Sequence, residues 1–443
     1  MKDIIPSVKE QYENYPYPPR DPQDEYKRLI PIESDSLEVV SHYCFDGGLD
    51  YGNMRVLIAG GGTGDSAIYL AEQLRGTDSK VIYLDMSEAS MRIAQKRAEI
   101  RGLRNIEWRP GSLLSLPEMD LEKFDYINCI GVLHHLKDPQ EGLKALKSVL
   151  NENGAVHIMV YAAYGRTGVY QMQNLLKIIN KNEPDMREKI SNSRALIESL
   201  PDTNWFKRDF STWEHEINSS GDIGLYDLLL HDMDRSYTVP QIYEFVEACG
   251  LTFVEFVGIG YESRYGYKPE NYIQDRLLRE KLLKLEKREQ QAAAELISGA
   301  MKKHVFYASQ KKDTIAKIEE LDNIPFFFQV DYKSPDMSQF KIDTEKGNIS
   351  LRTRTGITIE FKPTKYSLQI FNLIDGETSL KKIFEQVRSA LKEDVSDAVL
   401  LDKFQNLYNT FNTFNAMLLR KKNCPILPTS IELQHEFEQR ISQ

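Results

Sequence analysis

The sequence predicts an α/β fold: a largely parallel sheet covered on both faces by helices, followed by a small α+β domain. Three observations carry this. Arg55 to Ala59 reads as a buried strand running into Gly60-Gly-Gly-Thr-Gly64 and then a helix from about Asp65 to Leu74. Short apolar strands then alternate with helical stretches to about residue 310, the pattern of a parallel sheet. After Ile324-Pro325 the composition shifts, and a hairpin precedes three helices and a final strand.

The glycine turn organises the first part. Gly60, Gly61, Gly62 and Gly64 permit positive φ and close backbone approach, so a ligand is expected against bare peptide N–H groups at a helix N-terminus. Val81 to Asp85 is a second strand ending in an acid, about 20 residues past the turn, where a ribose diol is usually held. Ser87 suits the N-cap of a helix to about Arg101. Asn105 to Arg109, Phe124 to Ile130 and Ala155 to Tyr161 are strands three to five, with a helix from Gln140 to Leu150 before the fifth.

Composition narrows the function. The 443 residues suffice for two or three cores, and 41% apolar with 28% charged residues is ordinary for a water-exposed chain. There is no apolar run of membrane-spanning length and no basic-then-apolar leader at the N-terminus. Cys44, Cys129, Cys249 and Cys424 lie far apart with no CxxC pair, which argues for a reducing, cytoplasmic setting and against a zinc site or a disulfide framework. No metal is expected. The formal charge of −10 opposes nucleic-acid binding, and the basic run Arg279 to Arg288 is interleaved with glutamates like a solvated helix.

Residues 1–45 carry Tyr12 on a short helix that ends before Pro16, then Tyr15 and Tyr17 among three prolines. Two readings are open: a strap packed on the main domain, or a flap that faces the Tyr17 hydroxyl to the reacting group. The strap is favoured, because termini carry function less often than loops.

The turn alone does not choose a cofactor. Gly62-x-Gly64-x-x-Ala67 is a tolerable dinucleotide frame. The stretch Phe124-Asp-Tyr-Ile-Asn-Cys-Ile-Gly-Val-Leu-His-His-Leu-Lys-Asp-Pro139 decides, because with Val56 to Gly64 and Asp85 it resembles the class I methyltransferases that use S-adenosylmethionine. That resemblance implies a seven-stranded Rossmann-like sheet over residues 46–310. It implies Gly60, Gly62 and Gly64 near the methionine part of the cofactor, Asp85 on the ribose, Met86 along the adenine, Ser112 at its amine, and Gly131 as a further cofactor-binding residue. Two positions depart from the family. Its usual acid two residues before the first motif glycine is Ile58, so another group must serve the methionine end. Its usual acid at the adenine amine is Ser112, which still hydrogen-bonds but without charge assistance. Asp125 and the pair His134-His135 read as structural.

Tyr237 to Gly250 is a helix capped by Thr238, with Pro240 in its first turn, and Leu251 to Val257 is the next strand. By the same resemblance His304 to Ala308 is the seventh, antiparallel strand. Helical insertions then occupy 162–236 and 259–302, with apolar spacing at Leu175, Leu176 and Ile179 and at Leu277, Leu278, Leu282 and Leu285. Each suits a substrate cap or a homodimer interface equally. In Tyr226 to Tyr237, four ionisable groups (His231, Asp232, Asp234 and Arg235) precede a helix. A metal site there is weakly supported. The sharper reading makes His231 or Asp232 the base for the nucleophile, with Arg235 paired to a carboxylate; the alternative is a salt-bridged loop.

Residues 320–443 form the second domain: a hairpin (Gly347 to Leu351, Ile357 to Phe361), helices near Lys365 to Leu373, Leu380 to Leu391 and Asp397 to Asn412, and a strand Met417 to Arg420. Phe371 to Leu380 resembles the small winged-helix peptide-binding domains of the PqqD type, which implies a sheet edge offered to an extended peptide. The function expected is methyl transfer from S-adenosylmethionine to a protein or peptide side chain. A small-molecule acceptor and a non-catalytic cofactor-binding scaffold are the alternatives.

Overall fold

The computed structural model describes residues 10, 12–330, 340–343, 347–352 and 357–442. Its main sheet is built from β1 (Arg55–Ala59), β2 (Lys80–Asp85), β3 (Ile106–Pro110), β4 (Phe124–Ile130), β5 (Leu150–Ala162), β6 (Ser236–Tyr237), β7 (Thr252–Phe256) and β8 (Lys303–Ser309). The order is β3-β2-β1-β4-β5-β8-β7, and two-residue β6 adds to β5 as an eighth strand. The strands from β3 to β5 run parallel, whereas β8 lies antiparallel to β5 and β7, the reversal expected for a Rossmann-like methyltransferase sheet.

The period of two in the strands explains why both faces are covered. Leu57, Ile82, Leu84, Ile127, Cys129 and Ile158 turn to one side and share a core with the helices Pro139–Ser148 and Val239–Ala248. Val56, Ile58, Val81, Tyr83 and Tyr126 turn to the other, against helices Leu37–Cys44 and Asp65–Gln73. Burying each such side chain contributes about 1.5–3 kcal/mol, so neither face tolerates a polar run.

The two insertions part company. The first adds its own core, Val169, Met172, Leu176, Phe206, Trp213, Leu225 and Leu228, with Tyr15 of the N-terminal segment packed on it. The second, with helices Arg276–Leu282 and Lys287–Ser298, buries Ala294 and Glu295 but leaves Leu277 and Leu296 more than half exposed. Among the described residues no helix is long and apolar enough to cross a membrane.

In the second domain β9 (Ile324–Phe327), β10 (Phe340–Asp343), β11 (Asn348–Arg352), β12 (Thr358–Phe361) and β13 (Met417–Arg420) form a three-stranded antiparallel sheet, β10-β11-β12, and a β9–β13 pair. Helices Lys365–Asn372, Leu380–Leu391 and Asp397–Asn412 fall where the sequence places them. The domains share a seam: Leu418, Phe326 and Cys424 join the same core as Tyr43 and Val56. Burial pushes the His42 imidazole down to about 3, so it is neutral; its Nδ1 accepts from the Leu419 N–H (3.0 Å) while Nε2 meets the Tyr408 hydroxyl (2.9 Å). A last helix, Ser430–Ile441, was not foreseen. It returns to the first domain, seating Phe437 under the Arg101 guanidinium at 4.7 Å.

Candidate active site

At the end of β1 the chain turns through Gly60 (φ +87°) and Gly62 (φ +50°). A Cβ at Gly61 would stand 2.1 Å from the Tyr83 ring, and one at Gly62 2.8 Å from the Tyr17 carbonyl, so packing demands glycine there. The glycines themselves do not offer bare donors. The N–H groups of Gly60 and Gly61 donate to the Leu84 carbonyl (2.8 and 3.3 Å), and that of Gly62 to Asp85 Oδ2 (2.7 Å). The glycines provide closeness of approach, not hydrogen bonds. Gly64 is corrected further: it does not line the cavity, and a Cβ on it would strike Ala94 at 2.7 Å, so it serves helix packing.

Over the carboxyl ends of β1, β2 and β4 lies a cavity of about 360 Å³. One end is formed by Asp85, Met86, Gly111, Ser112 and Leu113, with Gly60, Gly62 and Gly131 along the floor. Asp85 Oδ2 accepts from the Gly62 N–H and Oδ1 from the Ser87 N–H (2.8 Å), which leaves the carboxylate acceptor capacity for a diol. Burial raises the Asp85 carboxyl above its ordinary range, opposed by the N–H groups of Ser87, Gly62 and Met86. Ser112 caps its own turn by accepting from the Leu114 N–H (3.3 Å) while facing the cavity.

The other end gathers Ile58, Ser66 and Asn128 with Tyr12, Tyr17, Tyr161, His135 and Asp227. Asp227 sits in a π-helical turn, Tyr226–Leu230, where burial raises its carboxyl to about 7, with Glu216 adding to the effect. Such turns recur at functional sites. The Tyr17 hydroxyl donates to Glu216 (3.2 Å), and the Tyr12 hydroxyl lies 3.5 Å from Asp227 Oδ1. Of the expected loop cluster, His231 is buried one layer back, its ring stacked on His135 at 3.8 Å between centroids. Burial holds its pKa well below the ordinary value, so the ring is neutral, and Nδ1 accepts from the Met233 N–H (3.1 Å). Asp232 and Arg235 are exposed and line no part of this cavity. The carboxylate pinning the loop is Asp234, paired with Arg166 (3.3 Å), whose guanidinium lies 3.6 Å over the Tyr161 ring. His135, read as structural from sequence, faces the cavity, whereas Asp125 does hold backbone, accepting from the Arg55 N–H (2.9 Å).

The N-terminal segment packs on the first domain beside the cavity. Glu13 accepts from the N–H groups of Glu88 and Ala89 (2.7 and 3.1 Å), capping the helix behind Asp85. Thr63 donates to the Pro18 carbonyl (2.7 Å), and Arg20 pairs with Asp65 (2.6 Å). These contacts place Tyr12, Tyr17 and Pro18 over the cavity. Residues 1–9 and 11 lie outside the described ones. The signal that would have found Asp227 is a lone acid in the apolar run Tyr226-Asp-Leu-Leu-Leu230. Tyr12 and Asn128 carry no such local mark.

A family model described as a methyltransferase domain matches residues 50–222. An uncharacterised protein of Synechococcus sp. is 32% identical over 272 residues, 60% of this chain and 62% of that protein. A ubiquinone biosynthesis O-methyltransferase of Acinetobacter baylyi is 28% identical over 136 residues, 31% of this chain and 54% of that one. The chain thus spans under two thirds of the length of these curated relatives. Among solved structures, PKMT2 from Rickettsia typhi superposes with a TM-score of 0.61 at 17% identity, covering 91% of this chain and 77% of that one. The same protein in complex with AdoHcy gives 0.59. The crevice beside Asp85 and the bare glycine turn fit a sulfonium nucleoside with a diol and a planar base. Fold and family match agree: residues 50–222 match a methyltransferase domain, and the sheet that carries them is Rossmann-like.

Proposed function

We propose that the chain transfers a methyl group from S-adenosylmethionine to a nucleophile held between the flap and the first insertion. The observation that carries this is the two-ended cavity, with Asp85 at one end and Asp227 among three tyrosines at the other. S-adenosylmethionine, when bound, supplies a methyl on a sulfonium, a leaving group already activated. What is left to the protein is alignment, exclusion of water and a place for a proton. Tyr12, Tyr17 and Tyr161 wall the acceptor space. Asp227, raised to about 7, is the carboxylate placed to take the proton from the nucleophile. His231 backs His135, so its role in this reading is to position it.

The acceptor we favour is a polypeptide side chain. Supporting it is a second domain that shares a core with the first and leaves a cleft of about 760 Å³ between Tyr261, Tyr265 and Phe414 and the edge strand β12. In this reading the PqqD-like domain holds the polypeptide. A small-molecule acceptor is the alternative, because the relative named a ubiquinone biosynthesis O-methyltransferase matches 31% of the chain. The exposed leucines of the second insertion, Leu277 and Leu296, are the surface we assign to self-association; Leu277→Glu should lower the mass seen by light scattering if the chain dimerises.

Labelled cofactor and a size-fractionated cell extract test the reading. Label in polypeptide supports the favoured acceptor, label in small solutes supports the alternative, and no transfer with intact cofactor binding would leave a scaffold.

A further inference from the structure

Ile58 leaves the methionine end of the cofactor site without the acid expected from the family resemblance, and the strand beside it answers the vacancy. In the parallel register of β1 and β4, Ile58 stands opposite Asn128, and both side chains line the cavity together with Ser66. The Asn128 amide nitrogen donates to both oxygens of Asp35, each at 2.9 Å, and lies 3.3 Å from Ser66 Oγ. An amide oxygen turned to a carboxylate would set acceptor against acceptor, so the flip of Asn128 is fixed, with its nitrogen towards Asp35 and its carbonyl oxygen away.

Asp35 is fixed in its turn. Its Oδ1 accepts from the Tyr126 hydroxyl (2.8 Å) and meets His157 Nδ1 (2.8 Å), and its side chain is fully buried. Burial alone would raise its carboxyl; His157, Ser66 and Asn128 hold it below the ordinary value, so it is ionised. The N-terminal segment thus supplies a negative charge one layer beneath the cavity floor, and no part of Asp35 lines the cavity itself.

We infer that the Asn128 carbonyl oxygen, oriented by Asp35, accepts the α-ammonium of the cofactor's methionine end in place of the missing acid. Asn128 is then a binding residue, and Asp35 a positioning residue acting through it. The inference rests on the methyltransferase reading and adds to it the residues that serve this end, Asn128 directly and Asp35 through it. A purely structural role for the pair would leave ligand discrimination unmoved.

The test is calorimetric and needs no turnover. S-adenosylhomocysteine carries the amino acid end, whereas 5′-deoxy-5′-methylthioadenosine has the nucleoside and sulfur without it. Asn128→Leu should weaken S-adenosylhomocysteine about 10- to 100-fold, the worth of one hydrogen bond to a charged group, and change methylthioadenosine less than about twofold. Asp35→Asn frees the flip and should cost the first ligand about threefold to tenfold with the second again unmoved. Adding Ile58→Asp to Asn128→Leu should restore most of the lost affinity. Because Asn128 is buried and its variant risks misfolding, unaltered protein provides a second arm: S-adenosylhomocysteine lacking only its α-amino group should bind about 10-fold or more weakly. Equal losses for both ligands in Asn128→Leu, or indifference to the amino group in unaltered protein, would overturn the inference. Unaltered protein that binds neither nucleoside would overturn the cofactor reading as well, which is a different result.

Discussion

The two ends of the central cavity are built by opposite means. The nucleoside end is sheet edge: the glycine turn, Asp85 and Ser112 all sit at or just beyond the ends of adjacent strands β1 to β3, so backbone register places them. The acceptor end is assembled from afar. Tyr12 and Tyr17 come from the N-terminal segment, Tyr161 from β5, and Asp227 from the first insertion. A rigid edge suits a constant cofactor, and packed-on segments suit an acceptor that differs between relatives.

The largest break in that comparison comes from the rigid end. Asp85→Ala removes the diol's acceptor and unties the Gly62 N–H that its Oδ2 holds at 2.7 Å. Two charge-assisted hydrogen bonds at about 1.5–3 kcal/mol each predict a loss of about 100-fold or more in affinity for S-adenosylhomocysteine by calorimetry. A loss under about threefold would show that the diol lies elsewhere and that the edge does not organise the site.

This asymmetry also decides what was legible in the sequence. Strand, turn and acid lie within Arg55 to Asp85, and short-range chemistry fixes them, so the sheet and the place of its glycine turn were readable. The C-terminal helices were readable because their apolar spacing is regular. The acceptor end was not, because Asp227 becomes a cavity group only when a helical insertion folds back over β5. Gly64 misled for a physical reason: a glycine needed against Ala94 looks the same in sequence as one needed against a ligand. His135 was missed because a histidine after a strand gives no hint that another histidine, 96 positions on, will stack behind it.

The next break falls on the assembled end. Asp227→Asn keeps the shape and removes the proton acceptor, so turnover should fall about 100-fold while cofactor affinity holds. Stability gives an independent check. With the folded carboxyl at about 7 and its ordinary value near 4, the folded chain holds a proton across that interval which the unfolded chain has released. Stability from this group therefore falls as pH rises from about 4 to about 7. The asparagine variant should melt above the unaltered protein at pH 8 and converge with it near pH 4. An unchanged gap would place Asp227 in water.

A smaller effect should come from the flap. Arg20→Ala removes the pair with Asp65, whose side chains are 27% and 16% exposed, and leaves the Thr63 and Glu13 contacts in place. A partly screened pair with bidentate geometry predicts about a tenfold faster release of cofactor by stopped flow, with equilibrium binding weakened to match. If release were unchanged, the flap would be a fixed wall of the cavity, and the acceptor end would be rigid like the other.

The smallest effect separates the loop's chemistry from its surface. Asp232 and Arg235 lie in the same short loop as Asp234, but both are exposed. Removing a solvated charge changes little, so Asp232→Ala and Arg235→Ala should each alter turnover less than about twofold. Asp234 differs: its side chain is 2% exposed, and it accepts from Arg166 and from Gln173 (2.8 Å), fixing the guanidinium over Tyr161. Asp234→Ala leaves a buried cation unpaired and should cost about 3–5 kcal/mol of stability. A large loss of turnover in Asp232→Ala with Asp234→Ala silent would move the acceptor to the outer face of the loop, and the cavity between flap and insertion would hold cofactor alone.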